Sequence, residues 1–313
     1  MNLVNKTNKI EGVFNGLWPA LLTPINASGN PELSELEEIT ELMISQKLDG
    51  LYILGSTGQG FLMNEEQRKS VAEVVTSVNN GRLPIIVQVG SLTTRESTRL
   101  AEHAATCGVQ GISSVGPIYY SPSDGSSAMA LRHYQEIAES TDLPFFPYQL
   151  GQGNFPEGIP AFIDNLLKIP NVTGMKLTTG NLLEISAIYN HAKEKLTLFS
   201  GADELMCHAA LCGTSGAIGT FYNLWGKECQ WVRKEFVRGN VKLGTSFMLT
   251  FQEVIAAVLP NAWTFLRQAM AYRYNIDIGK SKSPLGNTNQ PWPQKDVADI
   301  VERLIKASEL KVE

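Results

Sequence analysis

Between Gly16 and Gly226 the chain passes through eight short apolar runs, each followed by a longer amphipathic stretch, and this alternation restricts the fold more than any other feature. The runs cover residues 17–22, 50–54, 84–89, 111–115, 144–148, 172–178, 196–200 and 215–220, with the length and character of strands. Between them, residues 32–46, 64–78, 93–107, 128–139, 159–167, 182–192, 203–211 and a stretch beginning near Asn223 repeat their apolar positions at helical spacing. Asn64 with Gln67 three residues on, and Ser34 in a Glu-rich first turn, read as helix starts. Strands that are apolar at almost every position are buried on both faces, which favours a parallel sheet covered by helices. Eight such units predict an α/β fold, a closed (β/α)8 TIM barrel over residues 16–235; an open, doubly wound sheet is the alternative. Residues 1–15 form a polar N-terminal segment. Residues 242–258, 262–274 and 294–307 are helical in pattern and 279–293 is a Gly/Pro/Asn-rich connection, so 236–313 is expected to be a C-terminal helical extension packed on the barrel.

Net charge and motif spacing exclude several function classes. With Lys+Arg 26 against Asp+Glu 31 and no basic stripe, nothing matches a nucleic-acid footprint or an attraction to anionic membranes. Cys107, Cys207, Cys212 and Cys229, with His103, His133, His191 and His208, show no metal-ligand spacing, so no metal is expected. No apolar run approaches the roughly 20 residues of a membrane span, and a cytoplasmic protein with reduced thiols is expected. The expected partner is a small-molecule substrate.

A barrel gathers its reactive groups where the βα loops leave the C-terminal ends of its strands. After the second run comes Gly55-Ser56-Thr57-Gly58-Gln59-Gly60, a turn presenting backbone N–H groups and two hydroxyls, suited to an anion but matching no nucleotide motif. Tyr119 and Tyr120 follow the fourth run, and Tyr148 ends the fifth. Lys176 lies near the end of the sixth among uncharged neighbours. A lysine with the ordinary pKa of about 10.4 is neutral in only about one molecule in 2,500 at pH 7, so burial that favours the neutral amine would create a nucleophile able to form a Schiff base. The alternative is a lysine whose stem packs while its head reaches water. Gly201-Ala202-Asp203-Glu204 follows the seventh run, where the carboxylates could equally complement a helix dipole, and Gly219-Thr220 ends the eighth.

These residues, with Ala20-Leu21-Leu22-Thr23-Pro24 and Gly174-Met175-Lys176 in order and spacing, resemble the dihydrodipicolinate synthase and N-acetylneuraminate lyase family of pyruvate-dependent class I aldolases. The resemblance spans the barrel. It implies a homotetramer, no metal or organic cofactor, and a Schiff base between pyruvate and Lys176. Ser56 and Thr57 match the residues that hold the keto-acid carboxylate, and Tyr148 matches the proton-shuttling tyrosine. Tyr119, or its neighbour Tyr120, matches the tyrosine that supports this relay across a subunit interface. The synthase branch usually carries an arginine five residues after the catalytic tyrosine, where this chain has Gly153. The lyase branch surrounds a polyhydroxylated sugar, and its pattern implies Thr178, Gly201, Asp203, Glu204, Gly219 and Thr220 as sugar-binding residues and reversible cleavage of N-acetylneuraminate to N-acetylmannosamine and pyruvate. Gln59 stands where the family pattern has Glu, and Gly151 stands where it has Pro. Another aldolase of the same scaffold, a non-catalytic keto-acid binding protein and a metal-dependent aldolase are the alternatives.

Overall fold

The eight apolar runs become eight strands of a single sheet: β1 (Gly16–Pro19), β2 (Leu51–Ile53), β3 (Ile85–Gln88), β4 (Gly111–Val115), β5 (Phe145–Leu150), β6 (Gly174–Thr178), β7 (Thr197–Ser200) and β8 (Gly216–Gly219). All pair in parallel, in the order β1-β8-β7-β6-β5-β4-β3-β2. A bridge from Ala20 to Tyr52, with Leu21 N–H donating to Tyr52 O at 2.8 Å, brings β1 and β2 together and nearly closes the ring. The open doubly wound alternative is thereby excluded. This computed structural model describes residues 12–120, 126–151, 155–286 and 290–310. Most of the polar segment 1–15, Ser121-Pro122, position 153 and residues 287–289 of the connection lie outside them.

Alternation along each strand sends every second side chain to the barrel axis. Trp18, Tyr52, Ile86, Phe146, Phe199 and Ile218 fill the interior, with Phe14 edge-on against Phe146 at 4.8 Å. Each such side chain contributes about 1.5–3 kcal/mol by leaving water. The other faces of the same strands, Leu51, Ile85, Ile112, Phe145 and Leu198 among them, pack beneath the helices.

The helices are α1 (Leu33–Ser45), α2 (Glu65–Asn79), α3 (Thr94–Thr106), α4 (Ser126–Ala138), α5 (Ile159–Leu166), α6 (Leu182–Ala192), α7 (Met206–Leu211) and α8 (Tyr222–Val237). Asn64 and Gln67 form the expected capping box, Asn64 Oδ1 accepting from Gln67 N at 2.8 Å and Gln67 Oε1 from Asn64 N at 3.1 Å. Ser34 lies in the first turn of α1, as its sequence context suggests, its hydroxyl donating to Glu35 at 2.6 Å, with Glu32 at the N-cap place. The expected helix 203–211 divides into a 3-10 turn, Asp203–Leu205, and α7.

Beyond α8, α9 (Val241–Val258), α10 (Ala262–Tyr274) and α11 (Gln294–Ala307) pack on the barrel's flank. A half-buried ion pair fixes α10 to α8: Arg273 Nη2 donates to Glu228 Oε1 at 2.6 Å, and Arg273 Nη1 reaches Leu224 O at 2.5 Å. Residues Val241–Tyr274 are long and apolar enough, by length and composition, to cross a bilayer, contrary to the sequence expectation. In the fold Phe247, Phe251, Val254 and Val258 of this stretch are buried in the core, and Phe251 packs edge-on against Trp225 of α8.

Candidate active site

β5 and β6 lie in register with Tyr148 opposite Lys176, which sets the phenol and the amine side by side near the C-terminal ends of the strands. Lys176 is 5% exposed, so its side chain does not run to solvent. Its Nζ lies 4.2 Å from the ring centroid of Tyr52 and 4.3 Å from that of Tyr148. Desolvation pushes the amine down to about 7, against the pull of the Asp203 carboxylate in the opposite direction. Half of the lysine is then neutral at pH 7, a gain of roughly a thousandfold over a free side chain.

The Tyr148 hydroxyl lies 3.0 Å from Thr178 Oγ1. Burial raises its pKa, while hydrogen bonds to Thr178 and Ser56 oppose the rise. The phenol is therefore protonated near neutrality, so it could take up a proton only by passing its own along these hydroxyls. Gly201 is required beside it. A Cβ there would stand 1.9 Å from Thr178 Oγ1 and 3.1 Å from Lys176 Cε, so only hydrogen leaves room for both side chains.

The glycine-rich turn after β2 brings Thr57 Oγ1 to 2.6 Å from Thr220 Oγ1, joining the β2 and β8 ends of the barrel. Thr57 is buried and Ser56 exposed, which leaves the Ser56 hydroxyl accessible from the mouth. Gln59 takes a left-handed backbone, φ 56°, and its side chain turns away from the mouth. Its Oε1 accepts from the Lys282 backbone N–H at 2.7 Å, and its Nε2 lies 3.5 Å from Thr23 O. A neutral amide serves both partners at a site only 4% exposed, where glutamate would bury a charge and lose the donor. At Gly151 φ is 79°, a value proline cannot adopt, so the chain leaves β5 differently from the family pattern.

Asp203 is buried, and its Oδ2 accepts from Phe221 N at 2.7 Å. Desolvation, partly offset by the Phe221 N–H, raises its carboxyl to about 7. Lys176 and Asp203 thus titrate over the same range and share about one proton at neutrality. Gly219 makes the space for that carboxylate, since a Cβ there would lie 2.0 Å from Asp203 Oδ1. Glu204 is half-buried beside it, its backbone oxygen held by Gln252 Nε2 at 3.0 Å.

Of the residues singled out from the sequence, Ser56, Thr57, Tyr148, Lys176, Thr178, Gly201, Asp203, Glu204, Gly219 and Thr220 all lie at strand C-termini or in the turns that follow them. Tyr119 does not join them within one chain: it is 80% exposed and packs edge-on against Tyr120 at 5.0 Å. Two contributors escaped the sequence reading. Tyr52 lies against the lysine, and the uniformly apolar run Leu51-Tyr52-Ile53 carries no local signal of that contact. Asn223 is fully buried, donates to Ala20 O at 2.7 Å and Thr220 O at 2.8 Å, and accepts from Leu22 N at 3.1 Å, stapling β1 to the β8 turn. Among the described residues no three His, Cys, Asp or Glu side chains converge as metal ligands would.

The lysine's titration yields a pH prediction. Only the neutral amine attacks a ketone, so the rate of imine formation with pyruvate is expected to fall about 100-fold from pH 8 to pH 5, with a midpoint near 7. Borohydride trapping at fixed pyruvate measures it. A rate that keeps rising through pH 10 would mean an ordinary, solvated lysine.

Residues 13–303 match the model of the dihydrodipicolinate synthetase family. Among curated proteins, the chain is 32% identical over 222 residues to the N-acetylneuraminate lyase of Rhizobium meliloti (strain 1021), covering 70% of each chain. It is 28% identical over 279 residues to the N-acetylneuraminate lyase of Citrobacter koseri, covering 88% of this chain and 93% of that protein. Among solved structures, the N-acetylneuraminate lyase of Aliivibrio salmonicida superposes with a TM-score of 0.82 at 26% identity, over 95% of this chain and 98% of that one. The N-acetylneuraminate lyase of Mycoplasma synoviae gives a TM-score of 0.82 at 25% identity, with the same shares covered.

Proposed function

The chain belongs to the dihydrodipicolinate synthetase family of Schiff-base, pyruvate-dependent lyases, and from that premise we propose that it cleaves N-acetylneuraminate reversibly to N-acetylmannosamine and pyruvate. The observation that carries this reading is the buried amine of Lys176, pushed down to about 7 and set beside a phenol that is hydrogen-bonded to Thr178. Lyase relatives at 28–32% identity supply the choice of sugar.

Neutral Lys176 attacks the keto carbon of the open-chain sugar acid, and loss of water leaves a protonated imine. Ser56, Thr57 and the backbone N–H groups of their turn hold the adjacent carboxylate. Tyr148 takes the proton from the hydroxyl at the carbon to be released while passing its own proton to the neighbouring hydroxyls and the substrate carboxylate. As that C–O becomes a carbonyl, the C–C bond breaks and its electron pair moves into the iminium, giving an enamine. The enamine is protonated at carbon, and water releases pyruvate and restores the amine. The iminium is itself the electron sink, so the step requires no metal or organic cofactor. Thr178, Asp203, Glu204 and Thr220, with the backbone at Gly201 and Gly219, surround the departing sugar with donors and acceptors. Tyr119, 80% exposed, stands where it could serve the relay of a neighbouring subunit, in keeping with the homotetramer that the family resemblance implies.

Pyruvate release from N-acetylneuraminate, measured beside a keto-deoxy-gluconate control, tests the substrate. Turnover of the first well above the second is expected, because a site built to hydrogen-bond a long hydroxylated chain loses those bonds with a short one. Preference for the control would move the substrate to a shorter sugar acid and leave the imine chemistry intact.

A further inference from the structure

Tyr52 has no part in the chemistry above, yet it touches the reacting amine. At the inward positions of β5 and β7 the barrel interior uses Phe146 and Phe199. A tyrosine on β2 costs the burial of a hydroxyl, which is tolerated only when that hydroxyl is hydrogen-bonded. Here it donates to Ser113 Oγ on β4 at 3.1 Å, a bond that reaches past β3 and fixes the plane of the ring. The Tyr52 and Tyr148 rings stand at 84° to each other with centroids 6.5 Å apart. Lys176 Nζ lies over both, at 4.2 Å and 4.3 Å, in the corner between two π faces.

We propose that Tyr52, locked by Ser113, is a positioning residue for the Schiff-base lysine: its ring face holds the Lys176 ammonium in the resting enzyme, at the corner shared with Tyr148. The inference rests on Lys176 being the imine-forming residue. Lysine carries a flexible four-carbon stem, and an electrostatic seat over a ring face selects one of its arrangements before substrate arrives. The same attraction favours the charged amine, opposing desolvation. The charged and titratable groups facing this pair are Asp203 beyond β7, Tyr148 on β5 and, on the far side of Tyr52, the buried Arg68 of α2.

Borohydride trapping of pyruvate, followed over pH, tests the assignment in wild type, Tyr52→Leu, Tyr52→Phe and Ser113→Ala. Tyr52→Leu removes the face and keeps the site apolar. Its trapping rate is expected to fall on the order of tenfold to thirtyfold, with the midpoint of its pH profile moved to lower pH, because the protonated amine has lost its seat. Tyr52→Phe and Ser113→Ala keep the face and free the ring, so each should slow trapping by about threefold to tenfold with the midpoint unmoved. A Tyr52→Leu rate within about twofold of wild type, or a loss whose midpoint stays or rises, overturns the proposal. If Tyr52→Leu does not fold, wild-type rates in both conservative variants overturn it instead. Wild-type protein that fails to trap pyruvate at all would reject the imine reading itself, a separate outcome from trapping that is indifferent to Tyr52.

Discussion

Lys176→Met is expected to lower pyruvate release to background, a loss of about 10⁴–10⁶-fold, comparable to removing a nucleophile elsewhere. Methionine keeps the length and apolar stem, so the barrel should still form. It should also be more stable than the parent. The lysine's pKa falls from 10.5 to about 7 on folding, so between those values the unfolded chain binds more protons than the folded one. Stability of the parent therefore rises with pH across that window, and the full penalty is present below about pH 7. It is on the order of 5 kcal/mol, with the attraction of Asp203 already contained in the lysine's pKa. The methionine variant has no such penalty, and denaturant titrations at pH 7 and pH 10 should show its advantage shrinking as pH rises. Inactivity with unchanged stability would show that the amine is not desolvated at a cost; retained activity would remove it from the mechanism.

Tyr148→Phe separates imine formation from bond cleavage. The variant keeps the ring that lies over Lys176 Nζ at 4.3 Å and loses only the hydroxyl at 3.0 Å from Thr178. Pyruvate should still be trapped at Lys176. Turnover of the sugar acid should fall by about 10²–10⁴-fold, the usual contribution of positioned proton transfer. Trapping and steady-state turnover, measured on one preparation, distinguish the steps. Turnover within about tenfold of wild type would mean that another group carries the proton.

The barrel was legible in the sequence because strands buried on both faces write their apolar character at every position, and because helices between them fix a parallel order. The placement of the candidate site was legible for a related reason. Once the strands are placed, their C-terminal ends define one face, and Ser56, Tyr148, Lys176, Asp203 and Thr220 all fall there. Contacts set by register and tilt across the ring were not legible. Nothing local to Leu51-Tyr52-Ile53 announces that its tyrosine will lie against a lysine four strands away along the sheet, or that its hydroxyl will find Ser113. Gln59 shows the same limit: read alone it is a lost charge, but folded it is an amide serving Lys282 N–H and Thr23 O. Asp203 read as a first-turn carboxylate, and the turn after β8 claims one of its oxygens. Apolar content alone does not separate a core helix from a bilayer span: the 241–274 stretch satisfies the length and composition of a span, while its apolar face lies in the core.

The most direct test of the central claim is peptide mapping of the wild-type protein after borohydride reduction with pyruvate. The account predicts a single modified residue, Lys176, with labelling that slows steadily below neutral pH and is absent from Lys176→Met. Label on any other lysine, or label that survives in Lys176→Met, would contradict it.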